Sequence, residues 1–466
     1  MKWGGGLLNL FRQSVSLGTL LQLTIELSWL FAAGIFVLQI HDGLTIARPN
    51  IIVPALMFAL VMVILNGAFG LYRRSVRLSW GAYALRVVLA LLIAVPVSYF
   101  GAELLPGGAV FQDKLGLALV IAAGGLLLVR HVMVLPLVGT MRPHRVMVLG
   151  TGPEARLVEA SLGSIVSPGI RLIGFHALPK AQRTLVSQRR IIANTGPLLE
   201  TVRRLAIDEI IVAVREQRGG VLPLRELLDC RLNGVRVTDV ARFFERVHGK
   251  VPIESLKVSW LIYGDGYRQG WLRSVVKRTF DILVATLLLI LTLPVVLATA
   301  LMIRLEGSGQ VIYRQERVGR AGETFTLLKF RSMGHDAEND RGPSWASVND
   351  DRVTRVGRFI RRSRIDELPQ LINVLRGEMS FVGPRPERPE FVAVLTQQIP
   401  FYAVRHSVKP GLTGWAQVRY SYGASVEQAV KKLEYDLYYV KNHTLILDLL
   451  VLLETVRVVM LAEGAR

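Results

Sequence analysis

The stretch DILVATLLLILTLPVVLATALMI, Asp281 to Ile303, decides the topology of the chain. It reaches the ~20 apolar residues that cross ~30 Å of hydrocarbon as a helix, so length alone reads it as a span. Its flanks read differently. Arg273, Lys277 and Arg278 precede it; Arg304, Arg314, Arg317 and Arg320 follow. Basic residues collect on the cytoplasmic side of a membrane, so basic flanks at both ends disfavour a far end outside the cytoplasm. Pro294 lies in the middle, where proline removes a helical hydrogen bond and breaks or kinks the helix. A re-entrant membrane helix over 277–303, broken near Pro294, keeps both flanks inside. An ordinary fifth span is the alternative.

Four long apolar stretches lie upstream: Leu17 to Ile40, Asn50 to Tyr72, Trp80 to Tyr99 and Leu115 to Val138. Each is long enough to span. Lys2 and Arg12 precede the first, Arg73, Arg74 and Arg77 join the second to the third, and Arg142 and Arg145 follow the fourth. The other two loops carry only Arg48 and Lys114, beside Asp42, Glu103 and Asp113. Residues 1–140 therefore read as a membrane α-helical bundle of four transmembrane helices, with both ends cytoplasmic. The start, MKWGGGLLNLFRQSVSLG, lacks the small-residue cleavage site of a signal peptide.

From His144 the pattern changes. HRVMVLG, RLIGF, DEIIVAV and VRVTDV read as strands, alternating with helix-like runs such as ARLVEASLG. That alternation predicts an α/β Rossmann-like domain over 141–250 with a parallel sheet. Gly150-Thr151-Gly152 after the first strand suggests a nucleotide-binding turn. Ala155 takes the place of the third glycine, and RLIGF ends at His176 with no acid for a ribose hydroxyl. A degenerate module used for regulation or dimer contacts is the other reading. A linker over 251–273 contains Gly264, Gly266 and Gly270.

Composition agrees with three units. At 466 residues, 51% hydrophobic residues and a mean hydropathy of +0.39 argue against a wholly soluble or disordered chain. The 56 Lys and Arg against 36 Asp and Glu leave a net charge of +20, which suits anionic partners. Nucleic acid fits poorly, because the arginines cluster beside an acidic pair and beside membrane segments. Cys230 is the single cysteine, which excludes an intrachain disulfide and a cysteine-built metal site.

The acidic pair lies in RFIRRSRIDELPQLINVLRGEMSFVGPRPERP, Arg358 to Pro389. Arg358, Arg361, Arg362 and Arg364 crowd up to Asp366 and Glu367, and Gly383-Pro384-Arg385-Pro386 follows. Adjacent helical residues point about 100° apart, so the two acids can enter one pocket and take separate jobs. One can attack as a nucleophile and the other hold a divalent cation through hard oxygens. Adjacent ionised carboxylates repel, so a metal or the arginines must offset them. A solvated helix start is the plain alternative.

Taken together, Lys277-Arg278 with Phe280-Asp281, KFRSM (Lys329 to Met333), TRVGRFIRRSRIDELPQL, GEMSFVGPRPE, VKPGLTGWAQV (Val408 to Val418) and YDLYYVKN (Tyr435 to Asn442) resemble a known family. It is the bacterial sugar transferases, polyprenyl-phosphate hexose-1-phosphate transferases of the monotopic phosphoglycosyl transferase superfamily. The resemblance covers about Val275 to the C-terminus, and the preceding spans and α/β domain are similar to its large subgroup. It implies an α+β catalytic domain over 274–466, with the re-entrant helix inside it. It implies transfer of sugar 1-phosphate from a UDP-sugar to undecaprenyl phosphate, starting exopolysaccharide, capsule or O-antigen units at the bacterial inner membrane.

By the same resemblance Asp366 matches the nucleophile, which attacks the β-phosphorus and expels UMP, and Glu367 the carboxylate at Mg2+. Arg385 matches a phosphate-binding residue, and Lys329, Arg331 and Arg361 match basic positions near the pocket. Asp448 in LILDLL matches an acidic site position. Lys277, Arg278 and Pro294 match the beginning and break of the re-entrant helix. Leu293-Pro294 replaces the frequent Ser-Pro, and Arg419-Tyr420-Ser421-Tyr422-Gly423 replaces an Asn-Gly-Arg stretch. A homodimer is implied as well.

His335, Asp336 and Glu338 read as a surface loop rather than a metal site, His406 as a structural histidine at least as much as a substrate neighbour, and Trp415 as packing. Leu445 to Leu461 reads as an amphipathic helix. Two competing functions are a membrane-anchored nucleotide-sugar dehydratase or dehydrogenase and a non-catalytic scaffold. The first usually relies on Tyr-x-x-x-Lys, and none of the 12 tyrosines has Lys four residues later. The second leaves the intact Asp366-Glu367 pair unexplained.

Overall fold

A computed structural model describes residues 17–460 except 43–48, 70, 72–79, 104, 106–107, 130–142, 165–169, 179–183, 194–195, 215–220, 257–260, 262–270, 308, 335–351 and 421–424. The His335, Asp336 and Glu338 loop lies outside these. The chain divides into Met1–Val247 and His248–Arg466.

Among the described residues the first unit opens with four apolar helices: α1 (Leu17–Asp42), α2 (Pro49–Ala68), α3 (Trp80–Glu103) and α4 (Gly108–Val129). Among the described residues, Arg86–Glu103 and Gln112–Val129 are long and apolar enough to cross a membrane, and Gln22–Val37 and Ile52–Gly67 are shorter apolar segments. Helices in lipid associate through close packing of small residues. Here Gly34 lies against Ala55, and Trp29 lies over Gly125. Leu30, Phe58, Met62 and Leu126 fill the interior. The fourth helix begins at Gly108, earlier than the expected Leu115. Asp113 and Lys114 sit within its first turns, where Gln112 Nε2 donates to Tyr99 O at 2.9 Å. Charged residues near a helix end reach polar surroundings, so they do not mark its boundary.

The α/β part is a five-stranded parallel sheet. Its strands are β1 (His144–Leu149), β2 (Ile170–His176), β3 (Ile191–Ile192), β4 (Glu209–Val212) and β5 (Arg236–Asp239), in the order β3-β2-β1-β4-β5. The four strands read from the sequence are there; the two-residue β3 carries no periodic signal. Helix α5 (Pro153–Ser164) covers one face through Ala155 and Val158, against Val146, Val148 and Phe175. Helices α6 (Leu198–Arg204) and α7 (Leu224–Leu232) cover the other, where Cys230 is buried. Gly150 has φ +115° and lies so close to Ala213 O that a Cβ would overlap it. Leu185 N donates to Thr151 O at 2.8 Å, so the chain's own backbone caps the turn after β1. Helix α8 (Val240–His248) closes the unit.

The second unit is α+β. Helix α9 (Trp271–Glu306) continues through Pro294, so the interruption expected there is not a gap in the helix. It is 36 residues long, about 54 Å if straight. An antiparallel hairpin follows, β6 (Ile312–Val318) with β7 (Thr324–Phe330). Next come α10 (Arg355–Arg362), α11 (Gln370–Arg376), β8 (Ser380–Val382), α12 (Pro389–Gln398), β9 (Gly411–Thr413), α13 (Trp415–Arg419), α14 (Val426–Asn442) and α15 (Leu445–Met460). Strands β8 and β9 pair in parallel. Trp415 is buried, stacks on Tyr438 and donates from Nε1 to Gly249 O at 2.6 Å. Both ends of α9 dock on this unit. Near its start Asp281 accepts from Ser380 Oγ and Phe381 N. Near its end Ile303 packs with Phe330 and Ile360. The middle, Leu287 to Leu297, exposes large apolar side chains.

Candidate active site

Three short elements converge on the acidic pair. Thr354 caps α10 by accepting from Gly357 N at 2.9 Å, satisfying one of the orphan N–H groups of a helix start. The helix ends at Ser363, and Arg364 takes a left-handed conformation, φ +59°. Such a conformation is strained for a side-chain-bearing residue, and strain of this kind gathers at functional sites. It redirects the chain into a 3-10 turn, Ile365–Glu367, carrying both acids.

From the other side comes the Gly-Pro-Arg-Pro loop after β8. Gly383 lies against Lys409 O and Gly411 N, where any Cβ would overlap backbone, so only glycine lets the loop leave β8 so close to β9. Arg385 Nη2 donates to Glu367 Oε1 at 2.8 Å, and Arg364 Nη1 to the same oxygen at 3.4 Å. Lys329 comes from β7, opposite Tyr313. Asn373 on α11 holds that strand in place. Its side-chain oxygen accepts from Leu328 N at 3.1 Å, and its Nδ2 donates to Thr326 O at 2.7 Å.

The two carboxylates are not equivalent. Asp366 is 8% exposed, and its Oδ1 is buried without a hydrogen-bond partner. Burial, then the adjacent Glu367 charge, raises its pKa to about 6, against the opposing pull of Lys329, Arg385 and Arg364. Burial also pushes Glu367 up, but Arg385, Lys329 and Arg364 outweigh it and hold that carboxyl well below the usual range. Burial, then Arg385, lowers the Lys329 ammonium to about 8, partly offset by the two acids. The site thus holds one firmly ionised, clamped carboxylate and one poised, unclamped carboxylate, with cations on two sides.

Asp366, Glu367, Lys329 and Arg385 therefore meet, joined by Arg364. The remaining expected residues have other surroundings. Arg361 lies half-buried in the last turn of α10; Arg364 is the arginine that reaches Glu367. Arg331 donates from Nη2 to Ile303 O and Gly307 O, both at 3.1 Å, capping the end of α9. Asp448 is buried, with Oδ1 accepting from Tyr439 Oη at 2.7 Å and Oδ2 3.0 Å from Lys277 Nζ. Lys277 also pairs with Asp281 at 2.8 Å. Arg278 donates to Val374 O and Leu375 O, two carbonyls in the last turn of α11. His406 is half-buried; burial, then Arg405, lowers its pKa to about 4. Sequence reasoning missed Asn373, Arg405 and Asp436, whose roles arise from partners distant in sequence.

The bacterial sugar transferase family model matches residues 272–462. A UDP-N-acetylgalactosamine-undecaprenyl-phosphate N-acetylgalactosaminephosphotransferase of Aeromonas hydrophila is 42% identical over 242 residues, 52% of this chain and 56% of that protein. A UDP-glucose:undecaprenyl-phosphate glucose-1-phosphate transferase of Escherichia coli is 36% identical over 273 residues, 56% of this chain and 57% of that one. The chain thus spans little more than half the length of these two relatives. A protein of the same name from Xanthomonas campestris pv. campestris is 31% identical over 407 residues, 85% of this chain and 80% of that one. The chain belongs to the bacterial sugar transferase family.

Proposed function

We propose that this chain transfers sugar 1-phosphate from a UDP-sugar to undecaprenyl phosphate, releasing UMP and so starting a bacterial polysaccharide repeat unit. The observation that carries the reading is the unclamped, buried Asp366 beside the clamped Glu367, within reach of the fields of Lys329, Arg385 and Arg364. An Asp366 carboxylate oxygen attacks the β-phosphorus of the donor, and the bond from that phosphorus to the UMP oxygen breaks. A phosphate oxygen of undecaprenyl phosphate then attacks the same phosphorus, and the bond to Asp366 breaks. A covalent intermediate divides one difficult displacement into two. Lys329 and Arg385 counter charge on the transferring phosphoryl group.

Mg2+ fits the donor set. Among the described residues no group of three or more His, Cys, Asp or Glu gathers for a metal. Mg2+ is ordinarily held by one or two carboxylates plus substrate phosphates. Glu367, kept ionised by its cations, would hold it, and the unpartnered Asp366 Oδ1 lies next in the chain. When bound, the ion would supply positive charge to the diphosphate.

The membrane arrangement is part of the proposal. Both ends of α9 bond to the same compact unit while its apolar middle stands clear. That supports a re-entrant helix with the catalytic domain on the cytoplasmic face of the inner membrane. The parallel order β3-β2-β1-β4-β5 supports a Rossmann-like α/β domain. Leu224, Leu228 and Leu232 stand exposed at four-residue spacing on α7, which supports a homodimer.

The test uses purified full-length protein, a panel including UDP-glucose and UDP-N-acetylgalactosamine, and undecaprenyl phosphate. UMP release with lipid-linked product is expected, as is an Asp366 phosphosugar adduct by mass spectrometry with donor alone. Turnover by Asp366→Asn would reject the covalent route, and full activity in EDTA would remove the Mg2+ assignment. A cysteine near Arg320 labelled from outside intact cells would make α9 a true span.

A further inference from the structure

The loop carrying Arg385 is held in an unusual way. Two of its residues, Pro384 and Pro386, have no N–H, so its backbone is fixed mainly through its carbonyls. Pro384 O accepts from Gly411 N at 2.9 Å, and Glu387 O from Val318 N at 2.9 Å. Pro386 O accepts from Arg317 Nη1 at 3.1 Å. Arg385 O accepts from Arg405 Nη2 at 2.9 Å. Arg405 comes from a 3-10 segment, Tyr402–Ser407, remote in sequence from the loop.

Arg405 has little freedom. It is 6% exposed, and its Nε and Nη2 donate to Asp436 Oδ2 at 3.1 and 2.8 Å. Its Nη1 donates to Tyr402 Oη at 2.8 Å. Asp436 is itself buried on α14. A planar guanidinium held by three such bonds projects its second Nη2 N–H in one direction, which an ammonium does not do. That direction is the carbonyl of the residue whose side chain clamps Glu367.

We infer that Arg405, locked by Asp436 and Tyr402, is a positioning residue that sets Arg385 against the acidic pair through the Arg385 carbonyl. It acts from behind the site, and its burial against Asp436 leaves it to set geometry rather than to bind the donor. The inference rests on the reading of Asp366 and Glu367 as the reacting pair. If Arg385 drifts, its positive charge withdraws from both acids. The 2.8 Å bond from Arg385 Nη2 to Glu367 Oε1 is then lost.

Arg405→Lys keeps the charge facing Asp436 but loses the fork. The decisive measurement is free of turnover. Hydrogen–deuterium exchange is followed on full-length protein in detergent and read on peptides covering Gly383 to Arg388. Exchange there should rise in Arg405→Lys, and in Asp436→Asn, while peptides covering α10 and α11 keep the wild-type rate. In the transferase assay kcat should fall on the order of 100-fold, the loss expected from a small misplacement, with a smaller change in KM for the UDP-sugar. Arg385→Lys should lower kcat with the loop exchange of wild type, because Arg405 still holds the Arg385 carbonyl. Unchanged loop exchange in Arg405→Lys, with only a lowered thermal midpoint, overturns the inference and leaves a structural ion pair. Absence of UMP release by wild type would sink the transferase reading alone, because exchange is read without donor or lipid.

Discussion

Arg385 Nη2 lies 2.8 Å from Glu367 Oε1, and this bond makes two neighbouring carboxylates different. Glu367 is the better stabilised anion, Asp366 the less stabilised and more basic one. A nucleophile should not be the carboxylate already spent on an arginine. The chain order Asp-Glu alone does not decide which acid that is; the loop from β8 does.

Removing that arginine should therefore damage the site in two ways. Arg385→Leu should lower kcat/KM about 100-fold or more, the usual scale for losing one charged donor at a reacting centre. It should also raise the acid limb of the pH profile, because Asp366 loses a cation that now holds its pKa down. Arg385→Lys should recover part of the rate, since it restores charge without the fork. Steady-state UMP release from about pH 5 to 9 measures both effects, and an unmoved limb in Arg385→Leu contradicts the assignment.

The wild-type profile should be bell-shaped. On the proposed mechanism attack needs ionised Asp366, so kcat/KM should fall as pH drops through about 6. Charge compensation needs protonated Lys329, so it should fall again as pH rises through about 8. Lys329→Arg should move the basic limb to higher pH, because guanidinium stays charged throughout the range. A basic limb unchanged in that variant assigns it to another group.

A buried, unclamped carboxylate should cost stability. The Asp366 carboxyl has a folded-state pKa of about 6 against an ordinary 3.8, so burial of the anion opposes folding. The sign follows: the penalty is full above pH 6, shrinks as pH falls, and is gone below the ordinary value. Asp366→Asn should stabilise the protein at pH 7.5 by roughly 1–3 kcal/mol, the scale of that shift less the lost attraction of Lys329. Thermal midpoints in detergent at pH 7.5 and pH 4 measure it. Most of the gain should be lost at the lower pH, and a destabilised Asn variant at pH 7.5 refutes the account.

The apolar helices and the parallel strands were legible because composition and alternation report burial directly. Asp366, Glu367 and Arg385 were legible because residue identities across several segments match one family. Asn373 and Arg405 were not. An amide that completes a strand edge and a guanidinium that holds a carbonyl leave no periodic trace, because the partners Leu328, Thr326, Arg385 and Asp436 lie 20 to 47 residues away in no repeating pattern. The beginning of α4 and the length of α9 differ from the sequence reading for a related reason: a charge or a proline inside an apolar run is a local signal, and packing decides whether the helix continues.

Asp448 provides the last prediction, because sequence and structure point to different jobs for it. Resemblance suggests a residue of the substrate site. Its surroundings are Lys277 and Tyr439, and Lys277 also holds Asp281 in the first third of α9. Ser380 and Phe381 bond to that same Asp281, so one buried network fastens the beginning of α9 to β8 and α15. An anchoring Asp448 should matter for stability before it matters for binding. Asp448→Asn should lower the thermal midpoint while leaving KM for the UDP-sugar within about threefold, well under the ~1.4 kcal/mol that a tenfold change represents. Lys277→Met should be worse, by about 3–5 kcal/mol, because it leaves Asp281 and Asp448 buried together without their shared cation. The double variant Lys277→Met with Asp448→Leu should recover part of that loss, since no unpaired charge remains at Asp448. Should Asp448→Asn instead raise KM tenfold at an unchanged thermal midpoint, Asp448 belongs to the donor site and the anchoring role is lost.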